Sequence, residues 1–309
     1  MATTEGIGRS VALAIITLVA LVLFVPGAAD ATSLSPLTFE ISANPGETIT
    51  NYVTVYNNDG YKTSYFVSAE DFAPVGEEGN VVIEEDAPAA ISAKKWLTFE
   101  PNTVEMSPGE SKDIKFTLNV PLDAEPGGKY TSILVSTAPN ASDGGGAVAI
   151  ASKVASLLLI RVAGAVSEKI SVQSFEAPEM LESGPVALAL RLKNEGSVHL
   201  KPAGFVFIKN WLGSETDKLP LPQHRIIPST TRLVNITWPT KWLFGKYTAN
   251  FAGIYGTANE PLSASVTFWV IPWRILGTAL LGLLILGFIA WKIRRRLALA
   301  LSILFKGQH

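Results

Sequence analysis

Side chains able to do chemistry are sparse in this sequence. Carboxylates cluster at Glu77-Glu78 and at Glu84-Glu85-Asp86. A calcium site needs several oxygens converging from one compact loop, in the manner of Asp-x-Asp-x-Asp-Gly, and neither cluster has that spacing. Solvated loop charge is the expected reading. The paired acids of a glycosidase can lie far apart in a chain, so sequence does not exclude them, but nothing marks a pair. The chain has no cysteine and three histidines, His199, His224 and His309. Disulfides, thiol nucleophiles and thiolate metal sites are thereby ruled out, and imidazole-centred metal sites or triads have almost no material. Asp143-Gly144-Gly145-Gly146 is glycine-rich, yet no Lys-Ser/Thr follows it and it opens no helix, so it does not read as a phosphate loop. Asn140-Ala141-Ser142 and Asn235-Ile236-Thr237 fit the N-glycosylation acceptor pattern, which recurs by chance. No catalytic, cofactor-binding or metal-ligating set emerges. The chain reads as a non-enzyme without a cofactor.

The elements are more informative than the reactive groups. Between residues 34 and 271 apolar and polar residues alternate over short stretches broken by Pro, Gly, Asn and Asp, as in Thr50–Tyr56, Ser64–Ala69, Ile114–Val120 and Tyr130–Ser136. Period-two runs rich in Val, Ile, Thr and Tyr suit a half-buried pleated surface, and no sustained helical period appears. Asn44-Pro45-Gly46-Glu47-Thr48 and Ser107-Pro108-Gly109-Glu110-Ser111 form a weak internal repeat, each a tight Pro-Gly turn that introduces a strand. Asn58-Asp59-Gly60 and Asn194-Glu195-Gly196 each close a strand at a turn. Ala147–Val162 is the longest strand-like run, apolar on both faces, as for a strand buried beneath a second unit or shared between sheets. A break is expected near Ala163–Val166. Beyond it, strands are expected at Lys169–Phe175, Val186–Leu192, Gly204–Ile208, Leu233–Trp238, Lys246–Tyr255 and Ala264–Val270. The pattern implies an all-β chain with two immunoglobulin-like β-sandwich domains, at 34–163 and 166–271. Trp211, Trp238, Trp242 and Phe244 either pack in the second of these or meet lipid or ligand.

Both ends are apolar. Val11–Val25 is a run of 15 residues, short for a span and suited to the core of a secretory signal. Pro26-Gly27 and Ala29-Asp30-Ala31 follow, which marks 1–31 as a signal peptide cleaved after Ala31; an uncleaved anchor is the alternative. Ile275–Trp291 holds 17 uncharged residues, about 26 Å of helix, so 274–291 reads as a transmembrane helix. Trp273 and Trp291 stand at its two ends, where indoles prefer the membrane interface. Lys292, Arg294, Arg295 and Arg296 come next, and the positive-inside rule makes 292–309 a basic cytoplasmic tail. The expectation is a single-pass cell-membrane protein with its sandwiches extracytoplasmic. Leu297–Phe305 is expected to lie along the inner membrane surface. The net charge of −2 hides an asymmetry, since Thr32–Trp291 carries 19 basic and 25 acidic side chains. A body near −6 without clustered Lys or Arg makes nucleic acid an improbable partner.

Several motifs together resemble a bacterial family. Pro45-Gly46-Glu47-Thr48 leads to Thr54-Val55-Tyr56-Asn57-Asn58 and then Glu70-Asp71-Phe72. Trp96-Leu97-Thr98-Phe99, Ser107-Pro108-Gly109-Glu110 and Ala124-Glu125-Pro126-Gly127-Gly128-Lys129-Tyr130 continue the pattern. Residues 34–163 resemble the N-terminal, peptidoglycan-binding-like domain of WxL-interacting proteins and, more distantly, pilus-chaperone-like immunoglobulin folds. Asn194, Gly196, His199-Leu200-Lys201-Pro202 and Phe268–Trp273 look like the second half of that architecture. The resemblance implies a membrane-anchored binding or scaffold protein engaging cell-wall polymer or another surface protein. The alternative is a chaperone-like assembly factor that captures partner strands by β-augmentation, a role favoured by the long doubly apolar strand Ala147–Val162 if its edge is open. These motifs are turn and core residues, so they carry fold rather than ligand contacts.

Overall fold

The computed structural model describes residues 32–84, 88, 90–137 and 152–306. The signal segment with Ala31, the glycine run at 143–146, the start of the Ala147–Val162 run and the sequon at Asn140 lie outside the described residues, as does His309. The fold is all-β with one C-terminal helix, and its strands close around two separate apolar cores.

The first core lies between two sheets. One has the order β1 (Ser33–Ser35), β3 (Thr48–Tyr56), β8 (Ser111–Asn119), β6 (Leu97–Glu100). The other runs β2 (Thr38–Ala43), β10 (Lys153–Val162), β9 (Gly127–Thr137), β4 (Thr63–Val75), β5 (Asn80–Glu84), with β7 (Thr103–Met106) beside β4. Pro36 separates β1 from β2; having no N–H it cannot continue a ladder, and the chain changes sheets there. Alternation explains the packing: β8 turns Ile114, Phe116 and Leu118 inward, each fully buried, and Phe116 meets Phe39 edge-on at 5.1 Å between ring centres. The Pro-Gly repeat is a structural repeat. Gly46 and Gly109 sit at φ +80° and +72°, a region L-residues avoid. In each turn the glutamate after the glycine accepts from the backbone N–H that opens it, Glu47 from Asn44 and Glu110 from Ser107, both at 2.7 Å.

Two strands depart from simple alternation. β9 is buried on both faces from Gly127 to Val135, and its polar Thr131 and Ser132 hydroxyls donate to the Glu70 carbonyl. β10 pairs with β9 along its length and, over Leu157–Val162, with β2 in parallel on its other side. The doubly apolar strand is therefore internal over Leu157–Val162.

The second core lies between a three-stranded sheet, β11 (Ile170–Glu176), β13 (Val186–Asn194), β16 (Thr231–Trp238), and a five-stranded one. The latter has the order β12 (Met180–Leu181), β18 (Glu260–Val270), β17 (Gly245–Tyr255), β14 (Ala203–Asn210), β15 (Glu215–Pro220). Trp238 is fully buried, donates from Nε1 to Asp217 at 2.9 Å and packs on Tyr247 and Phe268. It is a core residue, whereas Trp211, Trp242 and Phe244 are exposed. The helix α1 (Trp273–Lys306) follows β18 after Ile271-Pro272. Its segment Trp273–Arg294 is long and apolar enough to cross a membrane, and none of that stretch is buried against the protein. The helix does not stop at the arginines: its backbone continues through Leu297–Phe305. Leu, Ala, Lys and Arg are strong helix formers and no Gly or Pro interrupts them, so the separate surface segment expected there is replaced by one continuous helix.

Candidate functional site

One buried polar residue organises the junction of the two sandwiches. Asn194 ends β13 and is fully buried. Its Nδ2 donates to the carbonyls of Val198 (2.8 Å) and Ile226 (2.7 Å), and its Oδ1 accepts from Gly196 N (2.8 Å). Its backbone N–H donates to Thr230 O, and its carbonyl accepts from Ser229 N. The two loops so pinned, 196–200 and 224–230, are those that meet the first sandwich. At the opposite end of that sandwich Asn57 does the same for its own loops. It donates to Tyr61, Met106 and Ser107 carbonyls and accepts from Asp59 N and the Tyr65 hydroxyl. The turn motif Asn58-Asp59-Gly60 starts one residue after this side chain, which stands in the Thr54-Val55-Tyr56-Asn57-Asn58 run.

Across the junction, Gly128 N donates to Ser197 O at 2.8 Å. That approach requires glycine: Gly127 has φ +134° with Ser197 O 3.3 Å from where its Cβ would stand, and a Cβ on Gly128 would lie 2.1 Å from the Tyr130 hydroxyl. Tyr130 packs edge-on against Phe72 and His199, and its hydroxyl lies 3.5 Å from His199 Nδ1. Phe72, Tyr130 and Leu159 form a small third cluster joined by Ile227 of the second sandwich. The β4–β5 turn is a second arm: Leu233 N donates to Glu77 O (2.7 Å), and Arg191 Nε donates to the Glu77 carboxylate (2.8 Å). The Arg232 guanidinium lies over Gly79, so close that a Cβ there would overlap it. Arg225 and Glu40 form an ion pair across the same junction, and Arg161 pairs with Glu168 at 2.6 Å in the connecting segment.

Two hollows flank these contacts. One of about 230 Å³ is lined by Phe72, Leu157, His224, Arg225 and Arg232. The other, about 400 Å³ and more open, is lined by Glu40, Arg161, Glu168, His199 and Lys201. Burial, with the Arg161 charge second, lowers the His199 imidazole to about 4, so it is neutral near pH 7. Burial raises the Tyr130 hydroxyl well above its ordinary range. His224 is lowered by burial and by Arg232, and Arg232 itself by burial. For Glu168 burial works against the charge, but the Thr257 N–H and Arg161 outweigh it and hold the carboxylate below its usual value. Glu168 and Arg225 are held in ion pairs, while Glu168 Oε1, Arg225 Nε and Arg232 Nε are buried without a hydrogen-bond partner among the described residues. The arrangement holds two units in a set orientation, with the Tyr130 and His199 rings packed edge-on across it.

Other residues singled out in the sequence are scattered. Glu77 is engaged with Arg191, and among the described residues no group of three or more His, Cys, Asp or Glu side chains is placed to hold a metal. Asn235 is exposed on β16. Trp273 and Trp291 lie at the two ends of the apolar part of α1 with exposed rings; Lys292 and Arg294 are also exposed, while Arg295 and Arg296 continue the helix backbone. The free sheet edges differ in character. β15 presents Glu215, Asp217 and Lys218 and ends in Pro220, a composition that discourages pairing. β5 pairs with β4 alone among the described strands and exposes Val82 and Ile83.

No family model matches the chain, and no curated protein matches it. Among solved structures it is similar to a chaperone–tip adhesin complex of CFA/I fimbriae biogenesis (12% identity, TM-score 0.40, covering 76% of this chain and 98% of that one). It is also similar to the class 5 fimbriae chaperone CfaA (10%, 0.39, 76% and 98%) and to the E. coli chaperone DraB (12%, 0.38, 78% and 98%). Similarity this low carries no functional argument.

Proposed function

We propose that the chain is a single-pass, membrane-tethered binding module. Its two sandwiches, at 34–163 and 166–271, stand outside the cytoplasm and engage another surface protein or cell-wall polymer. The observation that supports this most is α1, an apolar helix whose segment Trp273–Arg294 is not buried against the rest of the chain, entered two residues after the last strand of a folded sandwich. In water that stretch would expose leucine after leucine; in hydrocarbon it is satisfied. The tryptophans at its ends and Lys292 and Arg294–Arg296 beyond it favour a cytoplasmic C-terminus, and the segment at 1–31, cleaved after Ala31, serves export. The resemblance to WxL-interacting proteins points the same way. The test is capture by the full chain in lipid nanodiscs: a surface protein or isolated wall should be retained over empty nanodiscs, and retention of neither overturns the reading.

Strand capture by β-augmentation is the second reading, and β5 rather than β10 supports it, because β5 has the free edge with exposed Val82 and Ile83. Val82→Lys or Ile83→Lys should abolish partner capture if that edge is used. Capture by both variants at the parent level eliminates it.

A further inference from the structure

The end of the second sandwich from which α1 departs carries an apolar rim that its own fold does not use. The strand registers bring three connections to that end. Asn210, the last residue of β14, lies opposite Tyr247, and Gly245, the first of β17, lies opposite Val270 of β18. The β14–β15 turn, the β16–β17 loop and the entry to α1 are therefore neighbours. Trp211 and Leu212 project from the first, 69% and 67% exposed, and Trp242 and Phe244 from the second, 83% and 64% exposed. These are not loose side chains on slack loops. Asn210 Oδ1 accepts from Leu212 N and Ser214 N, which braces the turn. In the other loop Leu243 turns inward and is buried, and Gly184 N donates to Lys241 O, so the residues on either side of Leu243 are held facing out. The Trp211 indole borders Gly245, where a Cβ would meet it at 3.5 Å, which makes the two tips one surface. Trp242 also shares a hollow of about 360 Å³ with Pro272 and Ile275 of the helix entry.

Soluble surfaces seldom gather large apolar side chains in this way. Only two residues separate Val270 from Trp273, at most about 10 Å of extended chain between them, so the rim lies at the level where α1 meets the interface. Exposed Lys241 and Lys246 share this end with Glu179, Glu182 and Glu215; Glu182 is engaged by Arg274 at 3.3 Å. Aromatic rings flanked by lysines are the composition that the headgroup zone favours. We infer that this end of the second sandwich is itself a membrane-docking surface, with Trp211, Leu212, Trp242 and Phe244 seated in the headgroup zone of the leaflet that α1 enters. The inference rests on the reading of α1 as a membrane span. Docking would hold the sandwich at a set angle to the bilayer instead of letting it swing on Ile271-Pro272.

The absence of cysteine makes a direct test available. Single variants Leu212→Cys, Phe244→Cys, Leu284→Cys and Tyr61→Cys, all at exposed positions, are spin-labelled in the full chain. They are then reconstituted in vesicles of phosphatidylcholine and phosphatidylglycerol. Power saturation with oxygen and with a water-soluble nickel chelate reports depth. The label at 284 should be shielded from nickel and the label at 61 open to it; those at 212 and 244 should fall between, with oxygen favoured over nickel. Labels at 212 and 244 as open to nickel as the one at 61, with 284 shielded, overturn the docking surface and leave the span standing. Nickel access at 284 overturns the span and the docking together.

Discussion

Replacing Asn194 with alanine removes three side-chain hydrogen bonds from a site with no access to water. The Ile226 carbonyl keeps a second donor, Leu200 N at 3.1 Å, so its loss is partial. The Val198 carbonyl and the Gly196 N–H lose the partners the amide supplied. A buried polar group left unpaired costs about 1–3 kcal/mol, and partial relaxation of a loop places the sum near 3–4 kcal/mol. Because the amide pins the loops at 196–200 and 224–230, the damage reaches the junction as well as the second core. Urea unfolding of the full chain in detergent, followed by tryptophan fluorescence, should show the second sandwich destabilised by about that amount. Limited proteolysis should cut sooner in the connection at 163–169. Asn57→Ala, which removes five such bonds at the far end of the first sandwich, should destabilise that unit and leave the connection protected. A loss below about 1 kcal/mol for Asn194→Ala, or unchanged proteolysis, would refute the assignment of Asn194 as the organiser of the junction.

Other expectations follow from the same contacts. Gly79→Ala places a Cβ into the Arg232 guanidinium at a φ of +80°; it should lower stability by about 2 kcal/mol and speed cleavage at 163–169, and parent-like behaviour contradicts the docking of the β4–β5 turn. His199 is lowered from its ordinary value to about 4, so between those limits the unfolded chain binds a proton that the folded chain does not. Stability should therefore fall as pH drops from about 6.5 towards 4, by at most about 3 kcal/mol, with His224 acting in the same direction. His199→Gln should flatten part of that slope in urea titrations, and an unchanged slope refutes the assignment. Leu158→Lys, at a fully buried position on an internal strand, should unfold the first sandwich, as read by loss of its urea transition.

Much of the architecture was legible because it is written in local pattern. The Pro-Gly-Glu repeat announced two strands, and its glutamates close both turns alike. All six strands expected in the second sandwich are present. The β15 strand was invisible because Glu-Thr-Asp-Lys-Leu-Pro lacks an apolar face; it is an edge strand that hydrogen-bonds to β14, with Glu215 and Lys218 exposed and Asp217 turned to the buried Trp238 indole. β9 read as an alternating strand but is buried on both sides, since its polar hydroxyls find a carbonyl on β4. The junction was least legible. The partners of Asn194 include a carbonyl 32 residues away, and the Tyr130–His199 contact spans 69. No spacing rule links such positions. Gly127-Gly128-Lys129-Tyr130 did stand out as a motif, and its glycines prove to be where the second sandwich approaches the backbone.

Everything proposed about location depends on which side of a membrane each part occupies. The most direct measurement labels intact cells with a membrane-impermeant maleimide after Tyr61→Cys or Gly307→Cys is introduced into the cysteine-free chain. Labelling at 61 on intact cells, with labelling at 307 only after lysis and the product in the membrane fraction, is the predicted result. A product that stays in the soluble fraction, or a tail labelled from outside while the tip is protected, contradicts the account.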